Sequence, residues 1–320
     1  MATMHFKNSG PNSDGGASMN ILLTGGTGFV GQALTASLLK NGHDIAAIGQ
    51  SRSHLFILKE NFRYISADTT KEGPWQEEAN TADIIINLTG TNIFRYWTPG
   101  NKKKIYDSRV LTTRHLVNAI SKEKNVTLIN ASAAGYYGDR KDDAITEEET
   151  PGNDFLAQVC VDWEKEAFRA EEKNARVVTM RFGVVLGKNG GALSKMVIPY
   201  HLYLGGPLGK GIQWFPWIHM DDLVRAVILV MDDQMAKGPV NFVSPSPVRQ
   251  KDFAKALGKV LNKPALMPAP APIIRMVMGE LGKAFLSSQR VLPEKLSDYH
   301  FEFKFPELSS ALEDCLLMSS

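Results

Sequence analysis

Apolar residues recur along the chain in two alternating patterns: short unbroken runs, and longer stretches with helical spacing. Unbroken runs predict strands buried on both faces of a parallel sheet, because such strands have no solvent-facing side. The predicted strands are Asn20–Thr24, Asp44–Ile48, Phe62–Ser66, Asp83–Leu88, Val126–Ala131 and Arg176–Arg181. The predicted helices are Gly28–Lys40, Lys102–Ser121, Asp154–Lys173 and Met220–Met231. This alternation predicts right-handed βαβ crossovers and an α/β fold with a doubly wound parallel sheet.

The composition changes at both ends of the predicted sheet. Residues 1–18 have neither the apolar core nor the basic start of a signal peptide, so we expect a flexible tail or tag, with Met19 as the natural start. Residues 19–243 form the predicted sheet domain, with insertions at about 188–218. Beyond residue 243, prolines punctuate short helical segments, which predicts a small, mainly helical C-terminal domain at 244–320.

Three glycines, Gly25, Gly28 and Gly31, follow the first predicted strand in the run N-I-L-L-T-G-G-T-G-F-V-G. A helical pattern begins directly after them, so they lie at a strand-to-helix turn. In that setting Gly25 permits a tight turn, Gly28 permits backbone to approach a pyrophosphate, and Gly31 permits close packing of helix on strand. The helix N-terminus adds free N–H groups and a positive dipole. The pattern favours a Rossmann-type dinucleotide site; a purely structural glycine turn is the alternative.

Composition narrows the class of protein. A chain of 320 residues with 43% hydrophobic and 22% charged residues fits one large or two unequal globular domains. The net charge of +2 gives no reason to expect nucleic acid or a membrane surface as partner. Cys160 and Cys315 lie far apart without other metal-ligating residues nearby, which argues against a disulfide or a metal site. The apolar runs are too short to span a bilayer, so we expect a soluble cytoplasmic protein.

The ends of the later strands supply candidate contacts, because ligands of this architecture bind outside the carboxyl ends of the strands. The second strand is followed by Gly49-Gln50-Ser51-Arg52 and carries no acid there. An arginine pairs with a 2′-phosphate where a carboxylate would repel it, so this end favours NADP(H) over NAD(H); Arg52 as a solvated loop residue is the alternative. Asp68 is a candidate acceptor for the adenine amino group or a turn cap, and Gly90 permits close approach of backbone or serves the turn alone.

Several runs together resemble a known family. They are G-G-T-G-F-V-G, N-L-T-G, R-Y-W-T, S-R-V-L-T-T, S-A-A-G-Y-Y-G, R-F-G-V-V-L-G, G-G-P-L-G-K-G and W-I-H-M-D-D. This set is similar to the atypical, extended short-chain dehydrogenase/reductases, and more narrowly to the epimerase family proteins described as NAD-dependent or nucleoside-diphosphate-sugar epimerases. The resemblance runs from about Met19 to Leu316. It implies a Rossmann-type domain, NADP(H) as the nucleotide, and a C-terminal domain on the substrate side.

The residue pattern and the resemblance together give a set of expected cofactor-binding residues. They are Gly25, Gly28, Phe29, Val30, Gly49, Gln50, Ser51, Arg52, Asp68, Leu88, Thr89, Gly90, Arg109, Gly183 and Val185. The family has Thr-Arg or Ser-Arg after the second strand, where this chain has Gly49-Gln50. Either Gln50 occupies the phosphate position, or the turn shifts so that Ser51 and Arg52 do.

The resemblance also shows what this chain lacks. Extended members use a Tyr whose proton moves and a Lys four residues later that lowers its pKa. Alignment on Trp163-Glu164 places Leu156 at the Tyr position and Cys160 at the Lys position, and Ala133 stands at the usual serine position. The standard proton-transfer set is therefore absent from the sequence, although the glycine turn is intact.

Other polar groups follow the fifth strand. Ser132, Tyr136 and Tyr137 are the candidate catalytic residues, since each hydroxyl can hydrogen-bond a substrate; packing of the two tyrosine rings against Phe155 is the alternative. Cys160 is a candidate nucleophile, but its apolar helical neighbours favour a small buried side chain. No metal ligands are expected.

The aromatic residues Trp214, Phe215 and Trp217, beside Gly205-Gly206-Pro207, predict a wall over the substrate cleft or domain-interface packing. In His219-Met220-Asp221-Asp222 we expect an aspartate to cap the helix and His219 to pack or line the substrate wall.

Two function hypotheses follow. The first is an NADP(H)-dependent epimerase or oxidoreductase with a non-standard active site, acting on a small molecule such as a nucleotide sugar. The second is a non-catalytic module that binds or senses NADP(H). A homodimer is one possible assembly, and the sequence names neither the substrate nor the reaction.

Overall fold

The computed structural model describes residues 18–51 and 59–317. Its strands are β1 (Asn20–Thr24), β2 (Asp44–Gly49), β3 (Phe62–Ser66), β4 (Ile84–Asn87), β5 (Thr127–Ala133), β6 (Ala144–Ile145), β7 (Arg176–Phe182), β8 (Val184–Leu186), β9 (Trp214–Phe215), β10 (Trp217–His219), β11 (Gly238–Phe242), β12 (Val248–Arg249) and β13 (Arg290–Val291). The six predicted strands are confirmed, with ends that differ by at most two residues.

In the described part of the chain the main sheet has seven strands, in the order β11-β7-β5-β4-β1-β2-β3. Each neighbouring pair is parallel. The chain moves outward in one direction from β1 to β3 and in the other from β4 to β11, so β1 and β4 flank a topological switch point. Ligands of such sheets bind at this point, outside the carboxyl ends of the strands. The predicted Rossmann-type fold is confirmed.

Helices cover both faces of the sheet and form most of the C-terminal region. They are α1 (Phe29–Lys40), α2 (Glu77–Thr81), α3 (Pro99–Ala119), α4 (Phe155–Phe168), α5 (Leu193–His201), α6 (Met220–Asp232), α7 (Gln250–Val260), α8 (Ala271–Met278), α9 (Glu280–Phe285), α10 (Glu294–Asp298) and α11 (Leu308–Leu316). The four predicted helices are confirmed. The one predicted over Asp154–Lys173 ends its α-helical part at Phe168 and continues as a 3-10 helix, Arg169–Lys173.

The edge strand β11 was not predicted from the sequence. It begins with Gly238 and Pro239, which are typical of a turn. Proline is tolerated in an edge strand of a sheet, because its missing N–H need not remove a hydrogen bond between strands there. The strand pairs with β7 on one side only, and Val240 and Phe242 are fully buried. Burial of these side chains therefore stabilises a strand that local propensity disfavours.

Two apolar layers sandwich the sheet, and β1 contributes to both. Ile21 and Leu23 belong to one layer together with Leu34 of α1 and Leu223 of α6. Leu22 points to the other layer, with side chains from α2, α3 and α4. All three β1 side chains are at most 1% exposed, as expected of a strand with no solvent-facing side. This double burial fixes the register of β1 and thereby the position of the glycine turn that follows it.

A third apolar cluster holds the C-terminal helices. Phe253 and Leu257 of α7 pack with Leu308 and Leu312 of α11 and with Trp217 of β10. The helical character of this region is confirmed. The proposed boundary between residues 243 and 244 stays a prediction.

The start of α6 anchors this C-terminal region. The buried carboxylate of Asp222 accepts hydrogen bonds from the backbone N–H groups of Lys304 and Phe305, at 2.7 and 2.8 Å. The expected aspartate cap is wrong: the N-cap is His219, whose Nδ1 accepts from the N–H of Asp221 at 3.2 Å. Asp221 and Asp222 lie within the first turn of α6, past the N-cap position, and Asp222 is bonded to the C-terminal segment.

Candidate functional site

The glycine turn lies at the switch point, where β1 passes into α1. Gly25 has φ +74°, and a Cβ there would lie 2.9 Å from the backbone of Leu88, so the turn and the end of β4 approach closely. A Cβ on Gly31 would collide with the carbonyl oxygen of Gly25 and lie 2.7 Å from the Cα of Gly26. Both glycines are therefore required by packing within the protein.

Gly28 differs from its two neighbours in the motif. A Cβ there meets only the Gly25 oxygen, at 3.1 Å, and its φ of −75° suits any residue. Gly28 is the N-cap of α1, and neither a capping side chain nor a first-turn acid satisfies the helix start in the described structure. The N–H groups of Phe29 and Val30 in that turn, together with the helix dipole, form a potential anion site.

The Phe29 ring is fixed from the other side by a glycine-rich loop after β8. A Cβ on Gly190 or Gly191 would lie 2.6 Å from that ring, and one on Gly187 would lie 2.9 Å away. Sequence reasoning missed this loop as part of the site, although the run G-K-N-G-G after a strand was an available signal. It narrows the space next to the start of α1.

The ends of β2 and β3 lie beside the turn. A Cβ on Gly49 would lie 2.8 Å from the Thr27 hydroxyl, and the Gln50 amide donates to the Asp68 carboxylate at 3.3 Å. Hydrogen bonds from Thr70 hold the pKa of Asp68 below its usual value. Ser51 accepts a hydrogen bond from Tyr64 through its carbonyl at 2.8 Å. Arg52, the predicted phosphate partner, lies outside the described residues.

Leu88, Thr89 and Gly90 follow β4, as predicted, and Arg109 of α3 reaches the same loop. A Cβ on Gly90 would lie 3.0 Å from the Arg109 guanidinium, which donates to the carbonyls of Thr91 and Ile105. The guanidinium carbon also lies 5.3 Å from the Trp163 ring centroid. Burial lowers the pKa of Arg109, and no carboxylate pairs with it among the described residues.

A buried amide network holds this loop in place. Asn87 accepts from the Thr24 hydroxyl at 2.6 Å and from the Thr89 N–H at 3.2 Å, and donates to Thr113 and Asn130 at 2.8 and 2.7 Å. All four hydrogen-bonding capacities of the Asn87 side chain are used while it is fully buried. The network therefore joins β1, β4, β5 and α3 directly beneath the switch point.

The candidate catalytic residues lie at the end of β5, but their hydroxyls differ in availability. Ser132 is 2% exposed and donates to Glu164 at 2.6 Å. Tyr137 is fully buried, donates to Asn241 at 2.7 Å, and burial raises its pKa to about 12. Tyr136 is half-buried, and its hydroxyl makes no hydrogen bond within the described residues. Of the three, Tyr136 alone offers an uncommitted hydroxyl.

A buried ion pair organises these groups. Arg181 of β7 donates to both carboxylate oxygens of Glu164, at 2.9 and 2.8 Å, and to the Tyr137 hydroxyl at 2.9 Å. Its guanidinium also stacks 3.6 Å from the Tyr136 ring centroid. Sequence reasoning missed this pair; the available signal was a glutamate beside Trp163 on the buried face of α4. The tyrosine rings pack on Arg181 and on each other, whereas the ring that contacts Phe155 is Trp97.

Cys160 lies within α4 and is 4% exposed. Burial raises the pKa of its thiol to about 12, so it is a neutral thiol at physiological pH. This agrees with the interpretation of Cys160 as a small buried side chain rather than a nucleophile.

The remaining predicted residues lie around β8. A Cβ on Gly183 would lie 2.9 Å from the Pro216 backbone, and Val185 packs against the main core. Of the predicted aromatic wall, Trp214 and Phe215 line a cavity, whereas Trp217 is 1% exposed and belongs to the C-terminal core.

Residues 18–51 and 59–317 contain neither a metal-binding cluster nor a membrane-spanning helix. No group of three or more His, Cys, Asp or Glu residues has the arrangement of a metal site. No helix within those ranges has the length and apolar character needed to cross a bilayer.

A parallel sheet with an uncapped glycine turn at its switch point defines a Rossmann-type protein. Residues 21–242 match the model of the NAD dependent epimerase/dehydratase family, and residues 269–315 match a domain of unknown function, DUF1731. The chain belongs to the NAD dependent epimerase/dehydratase family. The predicted resemblance is therefore confirmed.

Similar proteins extend over nearly the whole chain. The chloroplastic "Epimerase family protein SDR39U1 homolog" of Arabidopsis thaliana is 36% identical, over 92% of this chain and 86% of the relative. "Epimerase family protein SSP1921" of Staphylococcus saprophyticus is 39% identical, over 92% of this chain and 98% of the relative. The human epimerase family protein SDR39U1 (isoform 2), solved with NADPH, has a TM-score of 0.80 at 29% identity, over 93% of this chain and 99% of that one.

A more distant structure shares the fold alone. UDP-glucuronic acid 4-epimerase of Bacillus cereus, solved with NAD, has a TM-score of 0.74 at 18% identity and covers 93% of this chain and 95% of its own.

Proposed function

We propose that this protein binds NADP(H) across the carboxyl edge of the sheet and is an epimerase or oxidoreductase with a non-standard active site. The observation that carries the proposal is the contrast within the glycine motif. Gly25 and Gly31 are packed against backbone, whereas the space in front of Gly28 is open and the start of α1 is uncapped. An uncapped helix start facing open space suits a pyrophosphate.

The residues fit such a cofactor in three groups. Gly25, Gly28, Phe29 and Val30 would hold the pyrophosphate. Gly49, Gln50, Ser51, Arg52 and Asp68 would hold the adenosine end, and Leu88, Thr89, Gly90, Arg109, Gly183 and Val185 would line the nicotinamide end. When bound, the nicotinamide accepts or gives a hydride.

Preference for NADP(H) over NAD(H) follows from the end of β2. Gly49, Gln50 and Ser51 include no carboxylate, so NAD(H) lacks its usual ribose contact. The human relative named above was solved with NADPH. A charge-assisted pair between Arg52 and the 2′-phosphate contributes about 1.5–3 kcal/mol, which corresponds to a preference of about tenfold or more.

Calorimetric titration of NADPH and NADH against the parent, Arg52→Ala and Gln50→Ala tests the assignment. We expect tighter binding of NADPH and a selective loss of that preference in Arg52→Ala; a loss in Gln50→Ala instead transfers the phosphate contact to Gln50. Equal affinity for the two nucleotides in all three proteins would reject the preference. Failure of both nucleotides to bind the parent would reject the cofactor.

For the chemistry, we propose Tyr136 as the group that bonds the substrate and moves a proton, with Ser132 and Tyr137 acting through Arg181 and Glu164. The Tyr136 hydroxyl makes no hydrogen bond within the described residues, and its ring stacks on the Arg181 guanidinium, which is held in place by Glu164. Nucleotide sugars are one candidate substrate, since the Bacillus cereus neighbour is a UDP-glucuronic acid epimerase. We further propose a cytoplasmic location, and a homodimer as the assembly.

A second function is supported by a specific observation. The two helical positions that carry the Tyr and Lys in extended family members hold Leu156 and the neutral thiol of Cys160. A protein that binds NADP(H) and senses it without turnover fits this loss. Once a substrate is found, Tyr136→Phe is expected to lower kcat more than Cys160→Ala does, at unchanged NADPH affinity. The reverse order would reject Tyr136, and absence of hydride transfer with any small hydroxylated substrate would favour the sensor.

A further inference from the structure

A cavity of about 280 Å³ lies beside the candidate site, between β9, α5, α7 and α9. Its wall is aromatic and aliphatic and includes Tyr200, Trp214, Phe215, Phe253, Leu257 and Phe285. Ligand pockets have volumes of about 300–1,000 Å³, so this cavity suits one small group rather than a whole nucleotide sugar.

Among the residues that the structure describes, those lining the cavity include no charged side chain. Its polar side chains make hydrogen bonds within the protein, most of them to backbone. Gln213 donates to the Leu208 carbonyl at 3.1 Å, and Gln250 accepts from the Leu208 N–H at 2.8 Å. Tyr200 donates to the carbonyl of Ala254 at 3.0 Å. The surface that remains for a ligand is therefore mostly apolar.

A diphosphate would bind weakly to such a surface, because burying its charge without a cation or several free hydrogen-bond donors is costly in free energy. The nearby cations do not line the cavity. Arg249 pairs with Asp142 at 2.7 Å and stacks 3.9 Å from the Trp214 ring centroid, and Arg290 lies 5.1 Å from the same ring.

The mouth of the cavity is apolar as well. Leu204 and Met267 both line the cavity and are each 54% exposed. Leu202 and Leu266, their near neighbours in sequence, are 64% and 82% exposed. A ligand that protrudes from the cavity would therefore continue to contact apolar side chains. Large clusters of exposed apolar side chains are uncommon on the surface of monomeric proteins.

One side chain ties the cavity to the candidate catalytic segment. Gln289 lines the cavity, and its amide donates to the carbonyls of Ala134 and Gly138, at 3.0 and 2.9 Å. These two carbonyls flank Tyr136 in the chain. A group bound in the cavity therefore lies next to the segment that presents the Tyr136 hydroxyl.

We infer that this cavity binds an uncharged, apolar group of the substrate, an alkyl chain or an aromatic ring, and not the nucleotide of a nucleotide sugar. The inference rests on the proposed function only in treating the ligand as that enzyme's substrate. It narrows the substrate class to molecules that combine an apolar body with a hydroxyl or carbonyl group near Tyr136.

Fluorescence titration with 1-aminoanthracene, a neutral apolar dye, tests the cavity on the full chain, with decan-1-ol and UDP-glucose as competitors. We expect saturable binding of the dye, displacement by decan-1-ol, and no displacement by UDP-glucose. Ala284→Trp fills the cavity wall and should weaken dye binding about tenfold or more. Lys283→Trp, on the exposed neighbouring position of the same helix, should leave it unchanged.

Ser287→Arg is a second variant, for the case in which Ala284→Trp fails to fold. It places a cation in the cavity wall and should also weaken dye binding. Displacement by UDP-glucose, or equal dye binding in parent, Ala284→Trp and Ser287→Arg, would overturn the inference. NADPH titration of the same preparations reports separately on the proposed function. Dye binding without NADPH binding rejects the cofactor and supports the apolar cavity, whereas NADPH binding with displacement of the dye by UDP-glucose rejects the cavity assignment alone.

Discussion

Gly28 and Gly31 stand three residues apart in one turn, yet the space around them differs. Gly31→Ala forces a Cβ into the Gly25 and Gly26 backbone, so we expect a loss of about 1–3 kcal/mol in the free energy of unfolding. Gly28→Ala meets one atom at 3.1 Å and an ordinary φ, so we expect little change in stability but a large loss of NADPH affinity. Urea denaturation and calorimetric titration of both variants measure the two effects. A Gly28→Ala protein that binds NADPH as tightly as the parent would contradict the pyrophosphate assignment.

Glu147 is a buried carboxylate whose pKa is raised by desolvation, although hydrogen bonds from the Asn241 and Lys295 backbone oppose the shift. Its Oε2 has no partner in the described structure. Because the folded pKa exceeds the ordinary 4.5, the contribution of Glu147 to stability is complete below that pH and is lost as pH rises through the folded pKa. Glu147→Gln should therefore be more stable than the parent at pH 7.5.

Urea denaturation at pH 4 and pH 7.5 measures this difference, which should shrink at the lower pH. Glu148→Gln, at the exposed next position, is the matched control and should change stability little at either pH. A stabilisation by Glu147→Gln that is equal at both pH values would show that the effect is not protonation of this carboxylate.

At the scale of elements, the Asn87 network joins three strands and a helix beneath the cofactor edge. Asn87→Ala leaves the Thr24 hydroxyl and the side-chain amide oxygen of Asn130 without one of their partners in the buried interior. We expect a cost of about 3 kcal/mol in stability. We also expect weaker NADPH binding, because the Thr89 N–H is released from Asn87. Asn125 is exposed and lies outside the network, so Asn125→Ala provides the control. A similar effect of both substitutions would contradict the special role of the network.

Elements with one strong local signal were predictable, and those stabilised by distant contacts were not. The unbroken run Ile21–Leu23 identified β1 because double burial leaves no polar alternation. Strand β11 was missed because Gly238 and Pro239 indicate a turn, and only pairing with β7 makes them a strand. The Glu164–Arg181 pair was missed for the same reason: its partners are 17 residues apart and meet only when α4 packs on the sheet.

At the scale of the whole molecule, the site also has features that local sequence predicts and features that depend on distant contacts. Gly25, Leu88 and Gly90 were predicted from strand ends, and they meet because parallel strands place their carboxyl ends on one edge. Arg109 of α3 was expected there from the family resemblance alone. The engagement of Ser132 with Glu164 depends on a helix that follows much later in the chain. Motif spacing therefore predicts which backbone forms the cleft, whereas the state of each hydroxyl depends on tertiary partners.

One buried carboxylate is among the contacts that join the two parts of the chain that match separate family models, residues 21–242 and 269–315. Asp222 is fully buried and accepts from the N–H groups of Lys304 and Phe305, so Asp222→Ala leaves two donors without their partner. We expect a loss of about 3 kcal/mol and a melting temperature about 5 °C or more lower. Asp221→Ala removes only an exposed pair with Lys304 and should cost at most about 1 kcal/mol.

Scanning calorimetry of parent, Asp222→Ala and Asp221→Ala measures both the melting temperature and the number of transitions. Because the C-terminal core contains Trp217 and Leu186 from the sheet side, the parent should unfold in a single transition. If Asp222 couples the two parts, Asp222→Ala should either lower that transition or split off an earlier one, and the NADPH-induced rise in melting temperature should persist in the part that contains Gly28. Equal melting temperatures for Asp222→Ala and Asp221→Ala would show that the C-terminal segment is held by apolar packing and not by this carboxylate.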